Sequence, residues 1–182
     1  MSGLREARRV LIVGAGGSGK STLAVRLGEL LNLEIVHLDQ HYWSAGWKET
    51  PREEWEYTVQ SLVRRESWVM DGNYGGTMDL RLAAADTVIF LDLSRNLYLR
   101  RVLVRRLRYA GRSRPDMPAG CPERLTFEFL KYLWKYPTER RPGVLRKLDS
   151  LSPDKTVFVL RSPTEIGQLV SGLEKLAATQ TR

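Results

Sequence analysis

The sequence predicts an α/β fold, a five-stranded parallel sheet with helices on both faces, and two observations carry that expectation. Five short apolar runs, Arg9–Val13, Glu34–Asp39, Trp68–Asp71, Thr87–Leu93 and Thr156–Arg161, alternate with segments of helical period. That alternation suits parallel strands joined by crossover helices. The first run also leads directly into a glycine-rich stretch and then a helix over Thr22–Leu31, a strand-loop-helix unit.

The helices announce their starts. Thr50-Pro51-Arg52-Glu53 and Ser162-Pro163-Thr164-Glu165 each place an N-cap, a proline at the first helical position and a glutamate at the third, the pattern of a capping box. Ser94 caps the helix after the fourth run in the same way. Gly111, Pro115, Pro118, Gly120 and Pro122 break up residues 109–122 into a loop. A helix starting near Glu123 follows, with Phe127, Leu130, Leu133 and Trp134 as core, and Pro137 and Pro142 end or kink it. Trp55 and Trp68 are also expected in the core.

With 182 residues, 42% of them apolar, the chain reads as one domain over 1–182. A lone cysteine, Cys121, rules out an internal disulfide framework. The chain has no 18-residue apolar run and no signal-like segment, so the expectation is a soluble, cytoplasmic protein with no membrane partner. Nothing sets an oligomeric state. The net charge of +8 is matched by one stretch, Arg95 to Arg114, with eight arginines and no acid. Such a run is either a solvated helix face or a surface that handles phosphate, and the chemistry of the loop favours the second.

That loop is Gly14-Ala15-Gly16-Gly17-Ser18-Gly19-Lys20-Ser21, with Thr22 opening the helix. Its pattern, G-x-x-x-x-G-K-S between strand and helix, is that of a nucleoside triphosphate loop. Backbone N–H groups and the helix dipole cradle phosphates, Lys20 reaches the β and γ oxygens, and the Ser21 hydroxyl ligates Mg²⁺. Gly14, Gly16 and Gly19 also satisfy G-x-G-x-x-G, and Asp39 follows the last glycine by twenty residues, as a dinucleotide-binding NAD(P) enzyme would want. Lys20-Ser21 decides for ATP and Mg²⁺, because the dinucleotide fingerprint does not require that pair. Asp71 closes the next strand, where a magnesium-associated carboxylate belongs.

On the acceptor side, Asp39 at the strand's carboxyl end orients or deprotonates an acceptor hydroxyl, or helps hold the metal through water; the alternative is an Asp that caps a turn. His37 and His41 flank it, and packing or substrate contact is expected of them rather than zinc. Trp43 and Trp47, beside Tyr42, either stack on a substrate ring or seal an insertion, and both readings stand. Arginines closing over a migrating phosphoryl group would stabilise its charge and exclude water; Arg101, Arg105 and Arg114 are the candidates.

These residues resemble the adenylate-kinase-like group of P-loop kinases, and more closely the DNA topology modulation proteins. The resemblance runs over nearly the whole chain. It rests on the loop, on Leu38-Asp39 with Trp43 and Trp47, and on Trp68-Val69-Met70-Asp71-Gly72-Asn73-Tyr74. Arg81, Asp86, Leu91-Asp92, Arg101 with Arg105, Arg114-Pro115-Asp116-Met117, Cys121 and Glu123-Arg124 extend it. It implies a sheet of order 2-3-1-4-5, ATP on the loop, an arginine-rich lid over about 100–122 and an acceptor-side insertion over about 40–66. Asn73, Tyr74 and Gly75 follow Asp71-Gly72 where adenylate kinases carry an arginine that grips the acceptor phosphate. AMP is thereby disfavoured unless Arg81 substitutes.

The resulting expectation is an ATP-dependent kinase of a small nucleoside-like or nucleotide-like acceptor. Lys20, Asp39, Arg101 and Arg105 are its catalytic residues, and Asp39, Trp43, Trp47, Asp71, Asn73, Tyr74, Arg81 and Arg114 line its acceptor side. The runner-up is a nucleotide-gated protein whose basic helix contacts nucleic acid, although the sequence holds no DNA-binding motif. An NAD(P)-binding enzyme comes third.

Overall fold

Parallel strands buried on both faces have to be apolar nearly throughout, and the first strand, β1 (Arg9–Gly14), meets that requirement: only Arg9 reaches solvent. The computed structural model describes residues 2–180. Helix α1 (Ser2–Arg5) precedes β1, and α2 (Lys20–Leu31), β2 (Ile35–His37) and the short α3 (Leu38–Tyr42) follow it. Strands β3 (Trp43–Ser44) and β4 (Lys48–Glu49) form a small antiparallel hairpin, then come α4 (Arg52–Val63) and β5 (Trp68–Asp71). A 3-10 turn, Gly75–Thr77, leads into α5 (Met78–Ala84), β6 (Thr87–Leu91) and α6 (Arg95–Arg108). The chain ends with α7 (Phe127–Glu139), α8 (Arg141–Asp149), β7 (Thr156–Leu160) and α9 (Pro163–Gln180).

The main sheet has the order β2-β5-β1-β6-β7, with every pairing parallel. This is the 2-3-1-4-5 order that the resemblance implies. Alternate residues of β1 feed two cores. Leu11 and Val13 pack with Trp55, Val59, Leu82 and Leu148 on one face. Val10 and Ile12 pack with Leu23, Leu27, Leu169 and Leu173 on the other. A third cluster, Ala15, Tyr98, Val102, Leu133 and Tyr136, fastens α6 and α7 onto the loop after β1, and it shapes the site. The connection after β1 runs to β2 at one edge and that after its neighbour β6 runs to β7 at the other, so the carboxyl ends of β1 and β6 form a switch point where such sheets bind ligands.

Several expected boundaries move. Strand β2 stops at His37, so Asp39 lies in the first turn of α3. Ser162 caps as expected, its Oγ accepting the Glu165 N–H at 3.2 Å, an arrangement worth about 1 kcal/mol, while the Glu165 carboxylate reaches one residue further back and accepts the Arg161 N–H at 2.8 Å. Thr50 does not cap, because its hydroxyl and its N–H both donate to the Tyr42 carbonyl and close the base of the hairpin. Ser94 occupies the N-cap of α6, but its hydroxyl makes no cap bond.

The helix expected from Glu123 begins at Phe127, where Thr126 caps it. Glu123 is held back because its N–H pairs with the Arg112 carbonyl at 2.8 Å. Phe127 and Trp134, expected in the core, are 75% and 58% exposed. The inward stripe is Phe129, Leu133 and Tyr136, because glycine at 16 lets α7 close onto the loop. A Cβ there would sit 2.7 Å from Phe129 Cζ. Trp134 instead carries the Arg95 guanidinium 4.5 Å above its ring. Pro137 sits inside α7 without ending it, and Pro142 occupies the first turn of α8, where a missing N–H costs nothing. Trp55 and Trp68 are buried as expected. Among the described residues, no helix is long and apolar enough to cross a membrane.

Candidate phosphoryl-transfer site

The loop after β1 has the backbone that its glycines allow. Gly17 and Gly19 have φ of 79° and 98°, the left-handed region that disfavours other residues. Gly17 also has no room for a side chain, since a Cβ would meet Val102 Cγ2 at 2.6 Å and the Tyr98 carbonyl oxygen at 2.7 Å. Gly19 is the N-cap of α2 and brings no side chain to its first turn. The N–H groups of Lys20, Ser21 and Thr22 therefore face outward at the positive end of the helix dipole. Ser21 is half-buried there and Thr22 is exposed. Lys20 folds back over the loop, with Nζ donating to the Ala15 carbonyl at 3.0 Å. Burial pushes its ammonium below the ordinary lysine value, aided by Arg105 and Arg114 and opposed by Asp71 and Asp39. Ser18 is fully buried, and its hydroxyl finds no partner in the protein. Amides facing outward at the helix start, the Lys20 ammonium folded over the loop and the Ser21 hydroxyl beside it fit a triphosphate and its divalent ion.

The strand register brings the carboxylates to the same rim. His37 and Asp71 are direct partners across β2 and β5, so their side chains share a face, and His37 Nδ1 lies 2.9 Å from Asp71 Oδ1. Burial alone would push the His37 imidazole down; the Asp71 carboxylate outweighs it and the net direction is up. One turn further on, Asp39 accepts the Tyr74 hydroxyl proton at 2.6 Å. Burial holds its carboxyl above the usual carboxylate range, with the charge of Asp71 acting the same way and with Tyr74, Lys20 and Arg114 opposing.

The arginines divide by role. Arg101 Nη1 donates to the Ser18 carbonyl at 2.9 Å and so lies on the phosphate loop. Arg105 Nε donates to Glu123 Oε1 at 2.9 Å. Arg114 Nε lies 3.1 Å from Glu123 Oε2, and its Nη2 is 3.9 Å from Asp39 Oδ2. Residues 109–126 are docked on the β3–β4 hairpin: Gly46 N–H to the Gly120 carbonyl, Trp47 Nε1–H to the Pro122 carbonyl and Cys121 Sγ–H to the Ser44 carbonyl. Arg124 stacks 4.4 Å above Trp47. The arginine-bearing segment thus closes over the carboxyl ends of β1, β2 and β5.

Comparison with known proteins agrees with this geometry. No family model matches the chain. It is 27% identical over 181 residues to a shikimate kinase of Rhodococcus erythropolis, covering 91% of this chain and 97% of that one. A shikimate kinase of Baumannia cicadellinicola is 28% identical over 141 residues, 69% of this chain and 78% of that one. Among solved structures, shikimate kinase from Acinetobacter baumannii in complex with shikimate has a TM-score of 0.58 at 17% identity, covering 98% of this chain and 97% of that one. A gluconokinase from Sinorhizobium meliloti 1021 has a TM-score of 0.51 at 17% identity, covering 96% and 95%. The fold is the P-loop kinase fold of the shikimate and gluconate kinase type. None of these four carries a DNA topology modulation name, and that narrower resemblance gains nothing from them.

In this P-loop kinase fold, two residues expected to touch the acceptor are committed elsewhere. Arg81 is wholly buried, and its guanidinium donates to the carbonyls of Gly72, Asn73, Tyr74 and Thr77. It builds the loop after β5 and does not reach an acceptor. Asn73 bridges, its Oδ1 accepting the Gly14 N–H and its Nδ2 donating to the Tyr132 hydroxyl, each at 3.0 Å. Trp43 and Trp47 pack edge to face at 5.3 Å, and Trp47 is spent on holding residues 109–126, which favours sealing over stacking. His41 is exposed. Sequence reasoning gave no site role to Glu123 or to the His37–Asp71 pair. Three arginines turned toward one cleft need an anion among them, and Glu123 is one of the few acids near enough in sequence to supply it.

Proposed function

We propose that the chain transfers the γ-phosphoryl group of Mg-ATP to a hydroxyl of a small hydroxylated carboxylic acid, the class to which shikimate and gluconate belong. The chain is an ATP-dependent phosphotransferase, and Mg²⁺ supplies charge neutralisation on the phosphates. The observation that carries the acceptor half is Asp39, a carboxylate fixed by Tyr74 beside Lys20, with Arg114 facing it.

The amides at the start of α2 and Lys20 would hold the β and γ phosphates, and Ser21 with Asp71 would hold the metal, Asp71 with its Oδ1 already fixed by His37. Arg101 lies on the loop, and Arg105 and Arg114 face the cleft, where they stabilise charge on the migrating group. The acceptor oxygen attacks the γ-phosphorus, the bond to the β-phosphate oxygen breaks, ADP leaves and the hydroxyl proton passes to Asp39. Arg114 is the candidate for the acceptor's carboxylate, a planar anion that suits a guanidinium fork. Arg81 offers no such grip, which argues against a nucleotide acceptor held by its phosphate. Of the eight arginines in the run, Arg101, Arg105 and Arg114 serve the site, whereas Arg100, Arg108 and Arg112 are exposed.

An ADP-release screen of Mg-ATP with sugar acids, shikimate-like acids, neutral sugars and nucleotides tests the reading. Stimulation confined to hydroxy acids, and its loss in Lys20→Ala, is the expected result. Stimulation by nucleotides alone would refute the acceptor class, and unchanged turnover in Lys20→Ala would refute the kinase.

A further inference from the structure

We infer that Glu123 is a positioning residue for phosphoryl transfer: its two carboxylate oxygens hold the Nε sides of Arg105 and Arg114 together at the cleft, Arg105 by a hydrogen bond and Arg114 by an ion pair. The inference rests on the phosphotransferase reading above and assigns a role to a residue outside the phosphate loop and the acceptor carboxylate.

The Glu123 side chain is 1% exposed. A carboxylate so far from water is costly unless it is paired on both oxygens, and here each oxygen has its own arginine: Arg105 Nε donates to Oε1 at 2.9 Å, and Arg114 Nε lies 3.1 Å from Oε2 as an ion pair, its N–H making no hydrogen bond. The two arginines come from different places, Arg105 from the last turn of α6 and Arg114 from the irregular segment beyond it. Glu123 is itself fixed by its backbone, through its N–H to the Arg112 carbonyl and the bridge that pairs it with Ala110. Arg105 thus gives Glu123 one hydrogen bond, and Arg114 faces it by charge. Arg114 Nη2 is left 3.9 Å from Asp39 Oδ2. Without the shared anion, two like charges beside Lys20 would repel one another and splay apart. Asp116, 3.5 Å from Arg114 Nε, reaches Arg105 only through its charge and makes no ion pair with it, so it does not bridge the two.

Binding of Mg-ADP with and without aluminium fluoride, a mimic of the phosphoryl group in flight, separates orientation from mere stability. In Glu123→Gln, which keeps the side-chain shape, affinity for Mg-ADP stays at the wild-type value while affinity for the fluoride complex falls by about 10²-fold, the scale of misplacing a catalytic group by an ångström. In an Arg105→Gln/Arg114→Gln background the same substitution adds no further loss. Glu123→Asp, which keeps the charge but retracts it, folds where Glu123→Gln does not and gives an intermediate loss. Equal losses for Mg-ADP and the fluoride complex, no loss at all, or a full further loss in the double-arginine background would each overturn the inference. Wild-type protein that grips Mg-ADP no better with fluoride than without would overturn the phosphotransferase reading and this inference together.

Discussion

Replacing Tyr74 by phenylalanine removes a hydroxyl that donates to Asp39 and accepts from Trp43, and its effect on Asp39 can be worked from the structure. The ring packs at 4.7 Å from Tyr42 and 4.8 Å from Trp55, contacts that phenylalanine keeps. What Asp39 loses is a 2.6 Å O–H···O bond, and Trp43 loses its acceptor at the same hydroxyl. A hydrogen bond to a charged group contributes about 1.5–3 kcal/mol, and since the Asp39 side chain is 40% exposed, water recovers part of it and about 1.4 kcal/mol remains. That is about one pKa unit. The Tyr74 bond favours the ionised carboxylate, so its removal moves the Asp39 carboxyl further up from a value that burial already raises. A titration of ¹³C-labelled aspartate carboxyls, with Asp39 assigned by its absence in Asp39→Asn, reads this directly. The acid limb of kcat/KM moves up by the same amount. An Asp39 titration that stays put or moves down in Tyr74→Phe refutes the claim that Tyr74 holds the carboxylate in its charged form.

Arg81→Met leaves the carbonyls of Gly72, Asn73, Tyr74 and Thr77 without their donor; the expected cost is about 3 kcal/mol, or a fall in Tm of roughly 6–12 °C for a domain of this size, and a Tm within about 2 °C of wild type would show the guanidinium to be dispensable. The His37–Asp71 pair adds a pH-dependent term to stability. Because the folded-state value of His37 is raised, that term is fully present below the ordinary histidine value of about 6.5 and is lost as pH climbs through the raised one. Urea unfolding of wild type and His37→Gln therefore gives a stability difference that shrinks with rising pH across that window, and a difference that grows instead contradicts the pairing.

Which parts of this were legible in the sequence follows from the range of the forces involved. The phosphate loop, the five strands and the Ser162 cap are local: φ, strand periodicity and capping act over a few residues, and all three could be read. The sheet order came from resemblance and matches the structure. Phe127 and Trp134 were misjudged because helical spacing offers several stripes, and Gly16, more than a hundred residues away, selects the one that turns inward. Arg81 and Arg114 look alike as letters; one is enclosed by carbonyls of the loop after β5 and the other shares a carboxylate with Arg105, and only the fold decides between them. Thr50 failed as a cap because the Tyr42 carbonyl competed for its hydroxyl across the hairpin.

The most direct test of the account is to follow the phosphoryl group itself. Incubation of wild type and Asp39→Asn with Mg-ATP and each hydroxy acid, with products separated and weighed by mass spectrometry, should yield an acid heavier by one phosphoryl group in amounts equal to the ADP formed, with formation in Asp39→Asn reduced by about 10²–10⁴-fold. ADP without a phosphorylated acid, or undiminished product from Asp39→Asn, would contradict the assignment of this cleft as a site of phosphoryl transfer to a hydroxyl.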